Sequence, residues 1–372
     1  MDANHSQFGF GQKWKWFCFS SLLLLLLLYL GGIAFRSPKE PEFAGKSLSD
    51  WLAELDTGRM EIIDFRAVLD PQAAEAIRQI GQPAVPFLIE FVKSGYSAIS
   101  TYYALDSLPV KLPLRVVEQR LDHRMSLARQ AVLGFRVLGT NSAEAVPDLA
   151  SLLAAKNEQS ALQVWEALSA TGPASLNVIS NGLRSSSYFD PGHAAIAAGF
   201  LGRDAEPLAP LLVSMLNDPK HDRVRPFVLR ALGRIGEPRD TVLPVLQQAL
   251  ADTNNTIVGN AAIGLMLLGD AGRVALPQIQ QCWVGENEKA NLFSLLAYIV
   301  LSTNDSQIVQ EIDQTRSKLG VKETWEAALA SASHTPTEVL AQVRTGWTNA
   351  SPSDRRDLFE MLRAILPIEE NK

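Results

Sequence analysis

Few residues in this chain are spaced for chemistry. Of the five histidines, His5, His123, His193, His221 and His334, no two stand within metal-ligand spacing on one helix. The densest titratable stretch is Asp218-Pro219-Lys220-His221-Asp222. Two carboxylates beside an imidazole can hold a metal or move a proton. The same residues suit a solvated turn, with Asp218 and Pro219 capping the next helix, and this is the reading the sequence favours. Ser185-Ser186-Ser187-Tyr188-Phe189 reads as an inserted loop before Asp190-Pro191, not as a nucleophile site. No phosphate loop, strand-linked Gly-x-Gly-x-x-Gly, His-Glu-x-x-His or Gly-x-Ser-x-Gly occurs. The cysteines are Cys18, in an apolar segment, and Cys282, alone in the body. A disulfide within the body and a cysteine metal site are therefore not expected. No catalytic residue, metal or cofactor is expected.

Arg223, Arg230 and Arg234 recur at seven and four residues and share one helical stripe, with Arg225 and Arg239 nearby. A basic stripe can grip phosphates. Here the net charge is −6 and the pI about 5.5. Glu206, Asp218, Asp222, Glu237 and Asp240 lie close by. The stripe is expected to be a solvated or salt-bridged face, and nucleic acid is not an expected partner.

The elements that carry these residues are clearest in Val224–Asp252. Val224, Val228, Ala231 and Ile235 recur at helical spacing, and Phe227 and Leu232 widen that face. Gly236 stands where a helix end needs positive φ. Glu237-Pro238-Arg239 interrupts, and Asp240 or Thr241 is positioned to cap a second helix with Pro244 in its first turn. Leu243, Leu246, Ala249 and Leu250 form its apolar stripe. Such a helical hairpin cannot cover its own apolar face and needs neighbours.

Neighbours of the same kind recur. First helices ending at Gly81, Gly139, Gly172, Gly202, Gly236 and Gly269 are followed by second helices opening at Pro86, Pro147, Asn177, Pro210, Pro244 and Pro277. A weaker copy, Tyr102–Leu108 with Pro113, gives successive steps of 27, 34, 30, 33, 34 and 33 residues. A near-constant period of this size predicts a solenoid. Ala231-Leu232-Gly233-Arg234-Ile235-Gly236 and Ala76-Ile77-Arg78-Gln79-Ile80-Gly81, each followed by an Ala/Val-x-Pro-x-Leu type opening, resemble HEAT repeats. The likeness is to the short bacterial type found in phycobiliprotein lyases, in a membrane-anchored form. The resemblance implies an all-α superhelix of the HEAT-like, ARM-type class and is nearly silent on activity.

Outside the repeats, Phe17–Phe35 is nineteen residues without a charge, about the ~20 needed to span a bilayer. Lys13 and Lys15 precede it. A signal anchor is expected, with the body on the periplasmic side of an inner membrane. A cleaved signal peptide ending at Gly32-Ile33-Ala34 is the competing reading. The expected order is a tail over 1–16, the span over 17–35, a linker over 36–46 and capping helices over 47–69. Repeats follow over 70–285, then a degenerate repeat with closing helices over 286–366, and a tail over 367–372. Ser47 and Asp50 predict a capping box for a helix Leu48–Leu55, and Asp70-Pro71 a second helix start. Part of Asp56–Leu69 is expected to be helical.

The resemblance places second helices on the concave side. Asn181, Asn217, Gln247, Gln248, Gln278 and Gln281 are the candidate binding residues there, in a polar and mostly uncharged surface. The expected function is non-catalytic scaffolding of a protein or peptide, without a small-molecule ligand. A lyase or isomerase related to chromophore lyases, and a purely structural envelope protein, are the alternatives.

Overall fold

A computed structural model describes residues 39–61, 66–106, 115–154, 161–187, 190–284, 292–318, 335–349 and a few between 324 and 329. The chain divides into two compact units, 1–40 and 41–372, and the second carries the described fold. The expected span at 17–35 and the last part of the expected closing helices, 350–366, lie outside the described residues. Among the described residues no helix is long and apolar enough to cross a membrane.

The second unit opens with a hairpin where a linker is expected. Strands β1 (Glu42–Phe43) and β2 (Lys46–Ser47) pair antiparallel. Ala44 and Gly45 both take positive φ, as a two-residue hairpin loop requires. Helix α1 (Leu48–Leu55) then starts at the predicted capping box, with Ser47 Oγ accepting from Asp50 N and the Asp50 carboxylate from Ser47 N at 3.1 Å. Its buried face is Leu48, Trp51, Leu52 and Leu55. The helix expected within 56–69 is instead a second hairpin, β3 (Asp56–Glu61) against β4 (Arg66–Leu69). Gly58, a poor helix former, lies in its irregular register, and the Thr57 hydroxyl donates to the Val68 carbonyl.

Among the described residues seven helical hairpins follow. Their first helices are α2 (Pro71–Ile80), α4 (Arg115–Leu138), α6 (Ala161–Ala170), α8 (Asp190–Leu201), α10 (Arg225–Ile235), α12 (Asn255–Leu267) and α14 (Leu292–Leu301). Their second helices are α3 (Val85–Asp106), α5 (Val146–Leu153), α7 (Leu176–Leu183), α9 (Ala209–Leu216), α11 (Arg239–Ala249), α13 (Leu276–Val284) and α15 (Asp305–Lys318). This is the architecture of an all-α repeat solenoid. Helix α16 (Pro336–Asn349) closes the described part, and Arg344 ties it down by donating to the carbonyls of Ile299 and Ser302 and pairing with Asp305 at 2.6 Å.

The turn between paired helices has a common build. Gly81, Gly139, Gly172, Gly202, Gly236 and Gly269 all take positive φ. In five of the six a 3₁₀ run follows, and in α5, α9 and α13 the anchor proline is the second residue of the new helix. There its missing N–H is no loss. In two turns a serine three residues on, Ser142 or Ser175, donates to the glycine carbonyl at 2.6 or 2.9 Å.

Two expectations fail in this region. The first half of the weak copy at Pro113 does not form a helix of its own. Tyr102 to Asp106 belong to the long helix α3, the stretch 107–114 lies outside the described residues, and α4 is one helix of 24 residues. The added turns pack on each other. Gly95 of α3 lies so close to α4 that a Cβ there would come within 2.2 Å of the Ala128 Cβ, and Arg124 Nε donates to Ser94 Oγ at 2.6 Å.

The second failure lies in the unit that reads most regularly. Helix α11 begins at Arg239, so Pro244 lies inside it and not in the first turn. Neither Asp240 nor Thr241 caps it. The residue before the helix is Pro238, Val242 N bonds to its carbonyl at 2.9 Å, and the Glu237 carboxylate accepts from Arg239 N. The turn here is only Gly236-Glu237-Pro238, and its shortness lets the helix start early. Val228, Ala231, Leu232 and Ile235 are buried as predicted, but Phe227 is 41% exposed. On α11 the fully buried pair is Val242 and Leu246, while Leu243 and Ala249 are half-buried.

First helices stack on first helices to form one layer, and small residues set their approach. A Cβ on Gly233 of α10 would lie 2.4 Å from both the Cα and the carbonyl oxygen of Gly264 on α12. A Cβ on Gly199 of α8 would lie 3.1 Å from the Ala231 Cα. Gly233→Ala must therefore move backbone, at a cost of about 2–3 kcal/mol. Gly139, with φ +56 and nothing within 4 Å of a built Cβ, has only its backbone conformation to lose. Gly139→Ala should cost about 1–2 kcal/mol. Thermal and urea melts of the two variants should show Gly233→Ala as the less stable.

Candidate functional site

The candidate binding residues all lie on second helices. Asn181 is on α7, Asn217 ends α9, Gln247 and Gln248 are on α11, and Gln278 and Gln281 are on α13. All are exposed except Gln247, which is half-buried. Helical spacing explains this, because Val242, Leu246 and Leu250 of α11 and Ile279 and Trp283 of α13 take the buried side. The structure brings two of the six together. Gln247 Nε2 donates to Gln278 Oε1 at 3.1 Å, joining consecutive repeats. Among the described residues no hydrogen bond joins Asn181 or Asn217 to that pair.

The arginine stripe is a solvated or salt-bridged face only in part: Arg223 is exposed, and the exposed Arg239 pairs with Glu237 at 3.5 Å. The Arg234 guanidinium lies over the Phe200 ring at 4.8 Å from its centroid, and Arg230 lies over Phe293 at 5.7 Å. Both are half-buried, and burial lowers the pKa of Arg230. Arg225 pairs with Asp252 at 2.8 Å. The two cation–π contacts staple α10 to other repeats, and the Arg225 ion pair ties α10 to the end of its own hairpin. Asp218 caps the 3₁₀ turn Pro219–His221, accepting from Lys220 N at 3.1 Å, and does not cap α10. Among the described residues no group of three His, Cys, Asp or Glu side chains is placed to hold a metal. Cys282 is not without partners, since its Sγ donates to the Gln278 carbonyl at 3.2 Å. Burial pushes its thiol up to about 11, which disfavours the thiolate that thiol chemistry needs.

One site escapes the sequence reading. Between α4, α6 and α8, at the end of the helices nearest their turns, lies a half-open cavity of about 320 Å³. Its walls include Leu133 and Arg136 of α4, Glu166 and Ser169 of α6, Phe200 of α8 and Asp204 of the following turn. Three residues before the turn glycine, α8 and α10 carry Gly199 and Gly233, the residues of closest approach. At that position α4 has Arg136 and α6 has Ser169. Neither can repeat the glycine contact, and the space is left open there. Glu166 is partly buried in this wall, and burial pushes its carboxyl up to about 7. Ser169 Oγ donates to its backbone carbonyl at 2.7 Å. Among the described residues the Glu166 carboxylate has no hydrogen-bond or ion-pair partner. The signal in the repeat alignment is weak, because four of the six first helices, at Arg78, Arg136, Ser169 and Met266, lack the glycine, and Glu166 is an acid in a mostly apolar helix.

Residues 176–267 match the family model for HEAT repeats. The matched span runs from α7 to the end of α12 and contains the Gly199 and Gly233 contacts and four of the six candidate residues. It supports a HEAT-repeat protein, and HEAT repeats commonly mediate protein interactions. A search of curated proteins gave no match.

The partly buried Glu166 has a consequence for stability. Its folded pKa of about 7 lies above the ordinary 4.5, so the fold keeps a proton that the unfolded chain releases. Stability is then lost as pH rises from about 4.5 through 7, by on the order of 2–3 kcal/mol. Glu166→Gln should leave the melting temperature at pH 5 nearly unchanged and raise it at pH 8. Thermal melts at the two pH values check this.

Proposed function

We propose that this chain is a non-catalytic HEAT-repeat scaffold that holds a protein or peptide partner along the face formed by its second helices. Asn181, Asn217, Gln247, Gln248, Gln278 and Gln281 are the proposed contact residues. The observation that carries the reading is the exposed, uncharged amide row on consecutive second helices, continued across a repeat boundary by the Gln247–Gln278 bond. Side-chain amides offer both donors and acceptors, as a peptide backbone requires. Arg225, Arg230 and Arg234 of α10 are already engaged in internal contacts, which favours a peptide over a polyanion on this part of the protein. The apolar run over 17–35 is proposed to anchor the chain in a membrane, with the repeats on its periplasmic side.

Site-specific photocrosslinking in membranes tests this. A crosslinker at Asn217, Gln248 or Gln281 should give the same discrete adduct, and one at the exposed Phe227 on α10 should not. The combined change Gln247→Ala and Gln248→Ala should weaken the adduct at Asn217. Equal labelling from Phe227 would overturn the assignment of the face. Release of the chain from membranes by a salt wash, without detergent, would overturn the anchor.

A further inference from the structure

We propose that the cavity between α4, α6 and α8 is a binding site for a single alkylammonium group, of the kind carried by a lysine side chain or a free alkylamine. The site is separate from the second-helix face, because its walls are first helices and their turns.

The charge of the walls points to a cation. From α4 the charged group at the cavity is Arg136, and from the turn after α8 it is Asp204. Among the lining residues α8 itself contributes only Phe200 and Leu201. Arg136 and Asp204 cancel in net charge, so the ionised Glu166 leaves the cavity with one negative charge to offset. A monocation does this and supplies the donors that the Glu166 carboxylate lacks. Ser169 Oγ, whose proton goes to the Glu166 carbonyl, keeps lone pairs free to accept from an ammonium.

The shape selects what carries the charge. Val132, Leu133 and Leu201 line the walls with methyl groups suited to methylenes. The Phe200 ring adds apolar area to the wall, its cation site being taken by Arg234 at 4.8 Å. A volume of about 320 Å³ lies at the small end of ligand pockets, enough for a butylammonium chain and too little for a large cofactor. Binding requires the Glu166 carboxylate, whose proton is held up to about pH 7 in the empty site, so ligand uptake displaces that proton.

The test uses the full chain in detergent with n-butylamine, Nα-acetyl-lysine methylamide, n-butanol and n-butyrate as probes, titrated by calorimetry or NMR. Both amines should bind at pH 8, and n-butanol and n-butyrate should not. Amine affinity should fall about tenfold per unit as pH drops below about 7. Glu166→Gln, nearly the same size, should lower affinity at least tenfold while leaving the circular dichroism spectrum unchanged. Tighter binding of the lysine derivative than of n-butylamine would identify a peptide side chain as the source, and equal binding a free amine. The proposal is overturned if n-butanol or n-butyrate binds as well as the amines. It is equally overturned if amine affinity on the unaltered protein is the same at pH 6 and pH 8.

Discussion

The structure depends on how closely the first helices can approach one another. At Gly233 and Gly264 the backbones of α10 and α12 meet with no room for a side chain, and Gly199 against Ala231 makes nearly the same contact one repeat earlier. Dispersion contacts grow steeply as such gaps close. The layer of first helices is therefore fixed by its smallest residues, and the larger apolar side chains fill what lies between that layer and the second helices. Val228, Leu232, Val242 and Leu246 are all fully buried in that space. Each such side chain contributes roughly 2 kcal/mol. That contribution is realised only while the helices keep their spacing.

Departures from that spacing are where the repeats gain individual character. Between α4 and α6, Arg136 and Ser169 stand where α8 and α10 have a glycine, and a cavity lined by Glu166 opens. Between α10 and its neighbours, the glycines draw the helices so near that Arg230 and Arg234 reach aromatic rings of other repeats. The same layer thus provides its own staples at one place and a pocket at another. The second helices are held by their turns more than by each other, which leaves their amide-bearing sides uncovered.

The turn glycines and the helix faces were legible because each repeats with the chain's period and each has a local cause. Ser47 with Asp50, and Asp70 with Pro71, are readable for the same reason: a cap is decided within four residues. What was not legible depends on partners distant in sequence. The length of α3 and α4 goes with Gly95 meeting Ala128 and Ser94 meeting Arg124. The arginine stripe reads as a surface until Phe200 and Phe293 are seen beside it. The cavity is a missing contact, and only the comparison of Ser169 with Gly199 and Gly233 hints at it.

If small-residue contacts between first helices carry the array, one whole period should be removable. Deleting Val224–Thr256, 33 residues, joins Arg223 to Ile257 and sets Gly199 of α8 against Gly264 of α12, small against small. The most direct measurement is a urea melt followed by circular dichroism on this deletion and on one of half its length. The shortened chain should keep its helicity per residue and unfold cooperatively, at a lower midpoint, while the half-length deletion should lose the cooperative transition. Loss of cooperativity in both would contradict the account.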